Sequence, residues 1–187
     1  SKLNYPYLLL LISGGHSQFL NVQGLGRYQR LGTTIDDALG EAFDKTAKLL
    51  GIEFPGGPQI EILAKKGDPN KYNLPKPIFN KGGCNLSFAG LKTAILKISK
   101  NIKNDQEKFD LAASFQKTIK DILYKKTKIA FSEFEKQTNL KKKIFVVAGG
   151  VAANKYIRST LINLCEEENY QSIFPPIELC GDNAAMI

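Results

Sequence analysis

Cysteine is scarce in this chain, and its few thiols lack the spacing of a metal or disulfide site. The three cysteines among 187 residues, Cys84, Cys165 and Cys180, are scattered, odd in number and never arranged as a CxxC pair. Small secreted domains need more cysteines, and zinc ribbons need paired ones. We therefore expect small buried or surface thiols in a reducing, cytoplasmic environment.

A hydrophobic run long enough to cross a membrane is also missing. The longest run near the start covers residues 8–12, whereas a spanning helix needs roughly 20 apolar residues. The run continues into a polar segment without a small-residue cleavage pattern, so it does not match a signal peptide. The sequence therefore predicts no transmembrane segment and no contact with a membrane.

Charge of one sign dominates what is present. The net charge is +8, and lysines cluster at residues 65–66, 117–128 and 141–143. A basic surface attracts phosphate backbones, but few aromatic residues lie between these lysines, so a base-stacking platform is not indicated. Nucleic acid is a candidate partner from charge alone, and a lysine-biased composition is the alternative explanation for the charge.

Hydrophobic residues make up 43% of the sequence, as in a globular domain with a sizeable core.

Three short apolar segments open the chain. Residues 7–12 form a continuous apolar run that predicts a buried strand, residues 17–22 alternate and predict its hairpin partner, and residues 28–32 predict a third strand. Glycine-containing turns separate the three segments. We therefore expect three antiparallel strands at the start of the fold.

A helix over Thr34–Leu50 is predicted next, with Thr34 as N-cap, Asp37 as its capping-box partner and Gly51 as C-terminal stop. Asp37, Glu41 and Asp44 recur on one face of this helix. Like charges at this spacing repel each other by a few tenths of a kcal/mol per pair. We expect a solvated face, the alternative being a face that meets hydrogen-bond donors or a cation.

The remaining elements complete an α/β pattern. A turn-rich segment covers residues 67–87, which is long for a compact domain. We expect helices over residues 59–66, 91–99, 108–136 and 154–169, strands over residues 144–148 and 173–174, and the start of another helix at residues 184–187. This order predicts a mixed five-stranded sheet with helices on both faces, the ribonuclease-H-like lobe of the actin-like ATPase superfold, with a helical insertion at about residues 55–105. A chain that opens without Met and stops inside a predicted helix is expected to be a piece of a longer protein.

Two glycine turns are the strongest local signals. Ser13-Gly14-Gly15-His16 follows the first strand, and Gly149-Gly150 follows the strand over residues 144–148. Glycine lets backbone N–H groups approach a ligand, and a helix start carries partial positive charge. Two such turns predict a nucleotide held between them, provided that they converge on one side of the sheet. Ordinary tight turns remain the alternative for each one alone.

Six stretches together resemble one known family. They are residues 11–18, 36–45, 55–58, 87–93, 148–154 and 181–187, which read LISGGHSQ, DDALGEAFDK, PGGP, SFAGLKT, AGGVAAN and GDNAAMI. This pattern is similar to the tRNA threonylcarbamoyladenosine synthesis transferases, long labelled O-sialoglycoprotein endopeptidases or glycoproteases. The resemblance implies that residues 1–187 form the second lobe of an actin-like ATPase fold. It also implies an acyltransferase that moves a threonylcarbamoyl group from its adenylate to the adenosine next to the tRNA anticodon.

The resemblance also implies a set of ligand-binding residues. The phosphate of threonylcarbamoyl-AMP, or of an ATP-like nucleotide, would be lined by Leu11, Ile12, Ser13, Gly14 and Gly15. The nucleoside would be held by Asp44, Gly57 and Glu61, and the adenylate would be contacted by Asn154. For Asp44 the alternative is an exposed helix carboxylate, and for Asn154 it is a helix N-cap, which is compatible with ligand contact.

One part of the family pattern is missing from the sequence. The resemblance implies one divalent metal, iron or zinc, held by Asp182 and by two histidines of an HxxxH motif, yet the single histidine, His16, lies elsewhere. One carboxylate without imidazoles does not make a tight transition-metal site. We therefore expect this fragment to be inactive, with Asp182 acting as a helix N-cap. We expect His16 to be structural and Phe88 to pack in the core.

Two other functions stay open beside the transferase. A metal-dependent endopeptidase needs a metal-bound water and a nearby base, and the sequence has no HExxH motif. A non-catalytic partner paralogue would be expected to lose the glycine turns, which are intact here. The partners implied by the resemblance are tRNA and accessory proteins of the same pathway, with a homodimer or a paralogue heterodimer as expected assemblies.

Overall fold

A five-stranded mixed sheet forms the centre of the molecule in a computed structural model that describes residues 3–176 and 180. Its strands are β1 (Tyr7–Ile12), β2 (Ser17–Gly24), β3 (Arg27–Thr33), β4 (Lys143–Ala148) and β5 (Tyr170–Ile173). They are ordered β3-β2-β1-β4-β5, with β2 antiparallel to both of its neighbours and with β4 and β5 parallel to β1. The predicted mixed sheet is confirmed.

The core lies against one face of this sheet. Leu10 pairs in register with Phe19 on β2 and with Val147 on β4, and all three side chains are fully buried. Residues that alternate with them, such as Leu9 and Leu11, are only half-buried. Because successive strand residues point to opposite faces, the helical layer covers the face that carries Leu10.

Five helices and a 3₁₀ helix build the rest of the described chain. They are α1 (Leu39–Leu49), α2 (Gly56–Ala64), α3 (Ala89–Ser99), α4 (Asp105–Gln137), the 3₁₀ helix Gly150–Ala153, and α5 (Lys155–Glu167). The longest, α4, has 33 residues and so extends about 50 Å. Two of its aromatic residues pack it against α1 and against β4. The Phe115 ring packs edge-on against Phe43 of α1, and the Phe131 ring packs edge-on against Phe145 of β4.

The start of α1 differs from the prediction. The proposed capping box of Thr34 and Asp37 is wrong, because the Thr34 hydroxyl donates to the Asp37 carbonyl and the helix begins only at Leu39. Instead, the Leu39 N–H donates at 2.8 Å to the buried hydroxyl of Ser17, the first residue of β2. A distant strand therefore caps this helix. Its predicted end is confirmed, since Gly51 follows with φ +70°.

Other boundaries moved by a few residues. The PGGP segment does not precede α2 but enters it, so this helix starts at residue 56 instead of 59. The 3₁₀ helix Gly150–Ala153 delays α5 to residue 155, and β5 covers residues 170–173 instead of 173–174. Asn104 caps α4 by accepting from the Glu107 N–H at 2.9 Å, which starts α4 three residues earlier than predicted. The predicted helix at residues 184–187 lies outside the described residues.

The three cysteines are buried, and none of them forms a disulfide. Burial raises the pKa of Cys84 to about 11 and that of Cys165 to about 12. Both thiols therefore stay protonated and unreactive near neutral pH. Among the helices of residues 3–176, none is both long and apolar enough to cross a bilayer.

Candidate functional site

The two glycine turns meet at one edge of the sheet. Strands β1 and β4 are parallel neighbours, so the turns that follow them leave the sheet side by side. Gly149 has φ +100°, and a Cβ there would overlap the carbonyl of Ile12 at the end of β1. Only glycine permits this close approach. The predicted convergence of the two turns is confirmed.

Helix α1 packs directly onto the first turn. The Gly40 N–H donates to the Ser13 carbonyl at 3.0 Å. A Cβ at Gly40 would lie only 2.8 Å from the nitrogen and Cα of Gly14, which is closer than real Cβ contacts. A glycine in the first turn of α1 is thus required for the helix to reach the strand end.

A cleft of about 520 Å³ opens between the two turns and helices α1 and α2. Its walls contain backbone, apolar side chains and a few charged groups. They are formed by Gly14, Gly40, Phe43, Asp44, Phe54, Pro55, Gly57, Pro58, Glu61, Gly150, Val151, Ala153, Asn154, Lys155 and Cys180. The cleft therefore gathers residues from five separate segments of the chain.

Two glycines of the cleft are not required by the fold. At Gly14 and Gly57 an added Cβ would meet no protein atom within 4 Å, and neither residue has a positive φ. The amides of Gly14 and of its exposed neighbour Gly15 donate no hydrogen bond to another described residue. These positions leave open space and unused donors, which is the arrangement that close approach of an anionic ligand needs.

The acidic stripe of α1 divides into two parts. Asp37 and Glu41 both contact the Lys45 ammonium, at 2.8 Å each, and the hydrogen bond from Lys45 holds the pKa of Glu41 below its usual range. Asp44 lines the cleft, and its exposed carboxylate has no hydrogen-bond or ion-pair partner among residues 3–176. The expected solvated face is therefore partly an internal ion-pair cluster, and Asp44 is the carboxylate that remains available to a ligand.

Asn154 is the helix N-cap that the sequence offered as one of its two roles, and its position in the cleft wall is compatible with the other. Its side-chain oxygen accepts from the Ile157 N–H at 3.0 Å as N-cap of α5, and its amide nitrogen donates to the Gln116 side chain of α4 at 2.9 Å. The residue is 7% exposed and lines the cleft. Beside it, Glu61 of α2 accepts from the Lys155 N–H at 3.1 Å. These bonds fix the wall that carries the second turn.

Some predicted residues lie near the cleft without lining it. Ile12 is fully buried in the core, and Leu11 is half-buried within β1, so these two residues position the first turn. Ser13 shapes the turn, donating from its N–H to the His16 carbonyl and accepting from the His16 N–H. The expected structural role of His16 agrees with these bonds. Asp182 lies outside the described residues.

Several lining residues were missed from the sequence. Phe54 is 85% exposed at the cleft mouth, Phe43 forms part of its apolar floor, and Lys155 stands at its α5 side. An aromatic residue directly before the PGGP segment was the available signal for Phe54. Phe43 lies on the apolar face of α1, and the sequence pattern of such a face is the same for core residues and for cleft residues. Periodicity therefore could not show that Phe43 lines the cleft. Phe88, expected in the core, is fully buried there.

A transition-metal site does not fit the described residues. Across residues 3–176 and 180, no three His, Cys, Asp or Glu side chains come together as a ligand set. The one histidine is exposed in the first turn, and Cys84 and Cys165 are thiols whose raised pKa values disfavour metal binding.

The chain matches one protein family along its whole length. The sequence profile of the TsaD family, described as tRNA N6-adenosine threonylcarbamoyltransferase, matches residues 1–187. A protein of that name from Pelagibacter ubique (strain HTCC1062) is 80% identical over 187 residues, which cover 100% of this chain and 52% of the relative. Another from Rickettsia rickettsii (strain Sheila Smith) is 58% identical over 189 residues, covering 100% and 55%. The chain spans about half the length of these relatives, and neither of them is named a peptidase.

Two solved structures also align with this chain. Component A of the Acidaminococcus fermentans (R)-2-hydroxyglutaryl-CoA dehydratase aligns with a TM-score of 0.48 at 16% identity, covering 92% of this chain and 56% of that one. The activator of the Clostridium difficile 2-hydroxyisocaproyl-CoA dehydratase aligns with a TM-score of 0.47 at 17% identity, covering 94% and 56%.

Proposed function

The chain belongs to the tRNA N6-adenosine threonylcarbamoyltransferase family, and on this basis we propose that its whole protein modifies tRNA. The reaction is transfer of the threonylcarbamoyl group from threonylcarbamoyl-AMP to the exocyclic amine of the adenosine next to the anticodon. The amine nitrogen forms a bond to the carbonyl carbon, AMP leaves with the electrons of the broken bond, and the amine loses one proton.

One observation carries the proposal for this half of the protein. Two backbone turns that are more than 130 residues apart in the sequence lie side by side and both line a cleft of about 520 Å³. Two of its glycines, Gly14 and Gly57, are there without any packing requirement. A backbone surface with unused N–H donors suits a phosphate, and the apolar floor suits a nucleoside.

Five residues in or next to the cleft have a chemical role in this proposal. The amides of Gly14 and Gly15 would donate to the adenylate phosphate, whose negative charge increases as AMP leaves. Asp44, for which the described part of the chain offers no hydrogen-bond or ion-pair partner, would accept from the ribose hydroxyls, as acidic residues do in other nucleotide-binding folds. Asn154 has one amide hydrogen beyond its bond to Gln116, and this hydrogen is available to the adenylate. Glu61 would bound the nucleoside side of the cleft.

The remaining expectations concern the whole protein. We propose that residues 1–187 form its second lobe and that a divalent metal, iron or zinc, is bound with Asp182 as one ligand and the others from outside this chain. The metal would supply Lewis-acid chemistry at the adenylate. A tRNA substrate implies work in the cytoplasm, together with accessory proteins of the pathway and with a homodimeric or heterodimeric assembly.

The test separates the ligand role of the glycines from stability. We expect Gly57→Ala in the full-length protein to leave the free energy of unfolding unchanged or slightly higher, because Ala is the better helix former. It should weaken binding of a fluorescent ATP analogue and lower the yield of threonylcarbamoyladenosine in tRNA, measured by nucleoside mass spectrometry. Gly82→Ala is the matched control, since that glycine also has open space around it but lies outside the cleft. Equal nucleotide affinity of the two variants and the wild type would contradict the proposal.

A further inference from the structure

A second large cavity lies along α4, away from the glycine turns. It has a volume of about 740 Å³, and four of its nine lining residues are lysines. We call it the lysine groove, and its lining residues are Lys76, Phe79, Lys120, Asp121, Tyr124, Lys125, Lys128, Ile129 and Ser132. None of these residues belongs to the cleft.

Positive charge in the lysine groove exceeds what its own acid can neutralise. The single carboxylate, Asp121, is shared between the Lys76 ammonium at 2.6 Å and the Lys120 ammonium at 3.2 Å. Lys125 instead donates to the neutral side chain of Asn80 at 2.9 Å. Beside the groove, Lys128 is paired with Glu168 at 2.8 Å, and Tyr124 donates to Glu167 at 2.7 Å. The four lysines still outnumber these three carboxylates, so a small excess of positive charge remains, and such an excess attracts anions.

The wall of the lysine groove is fixed in place by the helix beneath it. The fully buried Lys126 of α4 donates to the carbonyls of Lys81, at 2.8 Å, and Gly83, at 3.2 Å. The Phe79 ring lies under two ammonium groups, 4.3 Å from Lys125 and 5.1 Å from Lys76. The segment that faces α4 is thus held by several polar bonds, and the groove exists before any partner binds.

The lysine groove and the cleft share one helix. Gln116 of α4 bonds to Asn154 in the cleft wall, and the groove residues Lys120 to Lys128 follow on the same helix. At about 1.5 Å of rise per residue, they lie roughly 6 to 18 Å farther along. Along the helix axis, this separation is short enough for one macromolecule to reach both sites.

We propose that the lysine groove binds the sugar-phosphate backbone of the tRNA whose adenosine is modified in the cleft. This assignment rests on the proposed function. It is favoured over an acidic protein partner because protein interfaces are poor in lysine and built around exposed aromatic or aliphatic anchors. The large hydrophobic side chains that are exposed on the described residues all lie outside the lysine groove.

The main experiment neutralises two lysines of the groove and compares the result with that of neutralising two lysines elsewhere. In the full-length protein, Lys120→Gln with Lys125→Gln is compared with Lys97→Gln and Lys100→Gln, which neutralise two exposed lysines on and just after α3. Binding of an unmodified tRNA transcript is titrated against salt. We expect the groove pair to weaken binding roughly tenfold near 0.1 M salt and to make the salt slope shallower by about two, with little change from the control pair.

A third variant moves affinity in the opposite direction. Asp121→Asn removes the one carboxylate of the lysine groove and should tighten tRNA binding about threefold, a gain that partial unfolding does not imitate. Equal effects of the groove and control pairs, or no gain from Asp121→Asn, would overturn the proposal. So would unchanged tRNA binding together with lost assembly with purified accessory proteins, since that result assigns the groove to a protein partner.

The same experiment distinguishes failure of the lysine groove from failure of the proposed function. Fluorescent ATP-analogue binding and modified-nucleoside yield are measured on each variant. If the wild type binds tRNA through the groove but forms no threonylcarbamoyladenosine, the proposed function fails and the groove assignment stands. If the wild type modifies tRNA and the two lysine pairs behave alike, the groove assignment fails alone.

Discussion

Asp36 shows how one side chain outside the cleft holds the architecture around it. Its carboxylate accepts from the Phe88 N–H at 2.8 Å, from the Ala89 N–H at 3.2 Å and from the Ser87 hydroxyl. The first N–H groups of a helix have no acceptor within it, so Asp36 caps α3 from 52 residues before its N-cap, Phe88. The sequence placed this residue in a motif but gave it no role.

Replacing Asp36 should therefore destabilise the fold without touching the cleft. We expect Asp36→Ala to lower the free energy of unfolding by about 1–2 kcal/mol, the cost of losing a helix cap. Asp37→Ala is the control, because it removes only a surface ion pair to Lys45, worth at most about 1 kcal/mol. Urea denaturation measures both. A larger loss from the control would show that the cap bonds of Asp36 contribute little.

Asp121 makes stability depend on acid pH. Its partial burial raises its pKa, but the hydrogen bonds from Lys76 and Lys120 outweigh this effect and leave the pKa below its usual value. A carboxyl whose pKa is lower in the folded state stabilises the fold above its unfolded pKa of about 3.9, and this stabilisation is lost as pH falls through the folded pKa.

The comparison with Asp121→Asn isolates this contribution. We expect the wild type to be the more stable protein at pH 7, by up to about 1 kcal/mol for a partly exposed pair. The difference should shrink as pH falls below about 4. Urea denaturation at a series of pH values checks this. A difference that stays constant from pH 7 to pH 3 would contradict the assigned pKa shift.

At the scale of elements, α1 depends on β2 for its beginning. The Ser17 hydroxyl, fully buried at the start of β2, accepts from the Leu39 N–H at 2.8 Å. Because α1 carries Asp44 and packs on the first glycine turn, this single bond sets where one wall of the cleft begins. The position of a helix is here decided by a strand that precedes it by more than 20 residues.

Removing this hydroxyl tests the dependence. We expect Ser17→Ala to lower the free energy of unfolding by about 1–3 kcal/mol, because the Leu39 N–H loses its acceptor in a buried place. Thr34→Ala is the matched control, since this hydroxyl was the cap that the sequence predicted. It donates to the Asp37 carbonyl and accepts from the Asp36 N–H at 3.5 Å, but it does not contact the Leu39 N–H. If the Thr34 variant lost more stability in chemical denaturation, the start of α1 would have been assigned to the wrong side chain.

At the scale of the whole molecule, the cleft exists because two distant turns touch. Gly149 joins β4 to the 3₁₀ helix and lies against the backbone of Ile12. Any side chain there would push the ends of β1 and β4 apart, although these strands are paired along Leu8–Leu11. The contact between Gly149 and Ile12 is therefore needed both for the pairing of β1 with β4 and for the shape of the cleft.

Gly149→Ala should damage both properties. We expect a loss of more than about 2 kcal/mol in the free energy of unfolding, from a strained φ together with a backbone overlap, and weaker binding of a fluorescent ATP analogue. Gly26→Ala is the control, because Gly26 also has a positive φ (+68°) but open space around it. This variant should therefore lose only about 1 kcal/mol of the free energy of unfolding. Equal losses in the two variants would mean that the Ile12 contact does not matter.

The local features of this protein were determined by its sequence alone. Continuous apolar runs predicted β1 and β4, alternation predicted β2, and Gly51 predicted the end of α1, because strand burial and left-handed helix stops depend on neighbouring residues. The element order predicted the mixed sheet, and the paired glycine turns predicted a shared site. Six motifs in order indicated the family, although none of them says how its residues meet.

The tertiary structure decided which of those residues work together. Asp37 and Asp44 stand on the same predicted face of α1, yet one binds Lys45 and the other faces the cleft. Gly57 and Gly149 read alike in the sequence, but packing requires only the second. The caps supplied by Ser17 and Asp36 come from partners far away along the chain. Such contacts depend on how strands and helices pack, and the spacing of residues in the sequence does not show which distant residues meet.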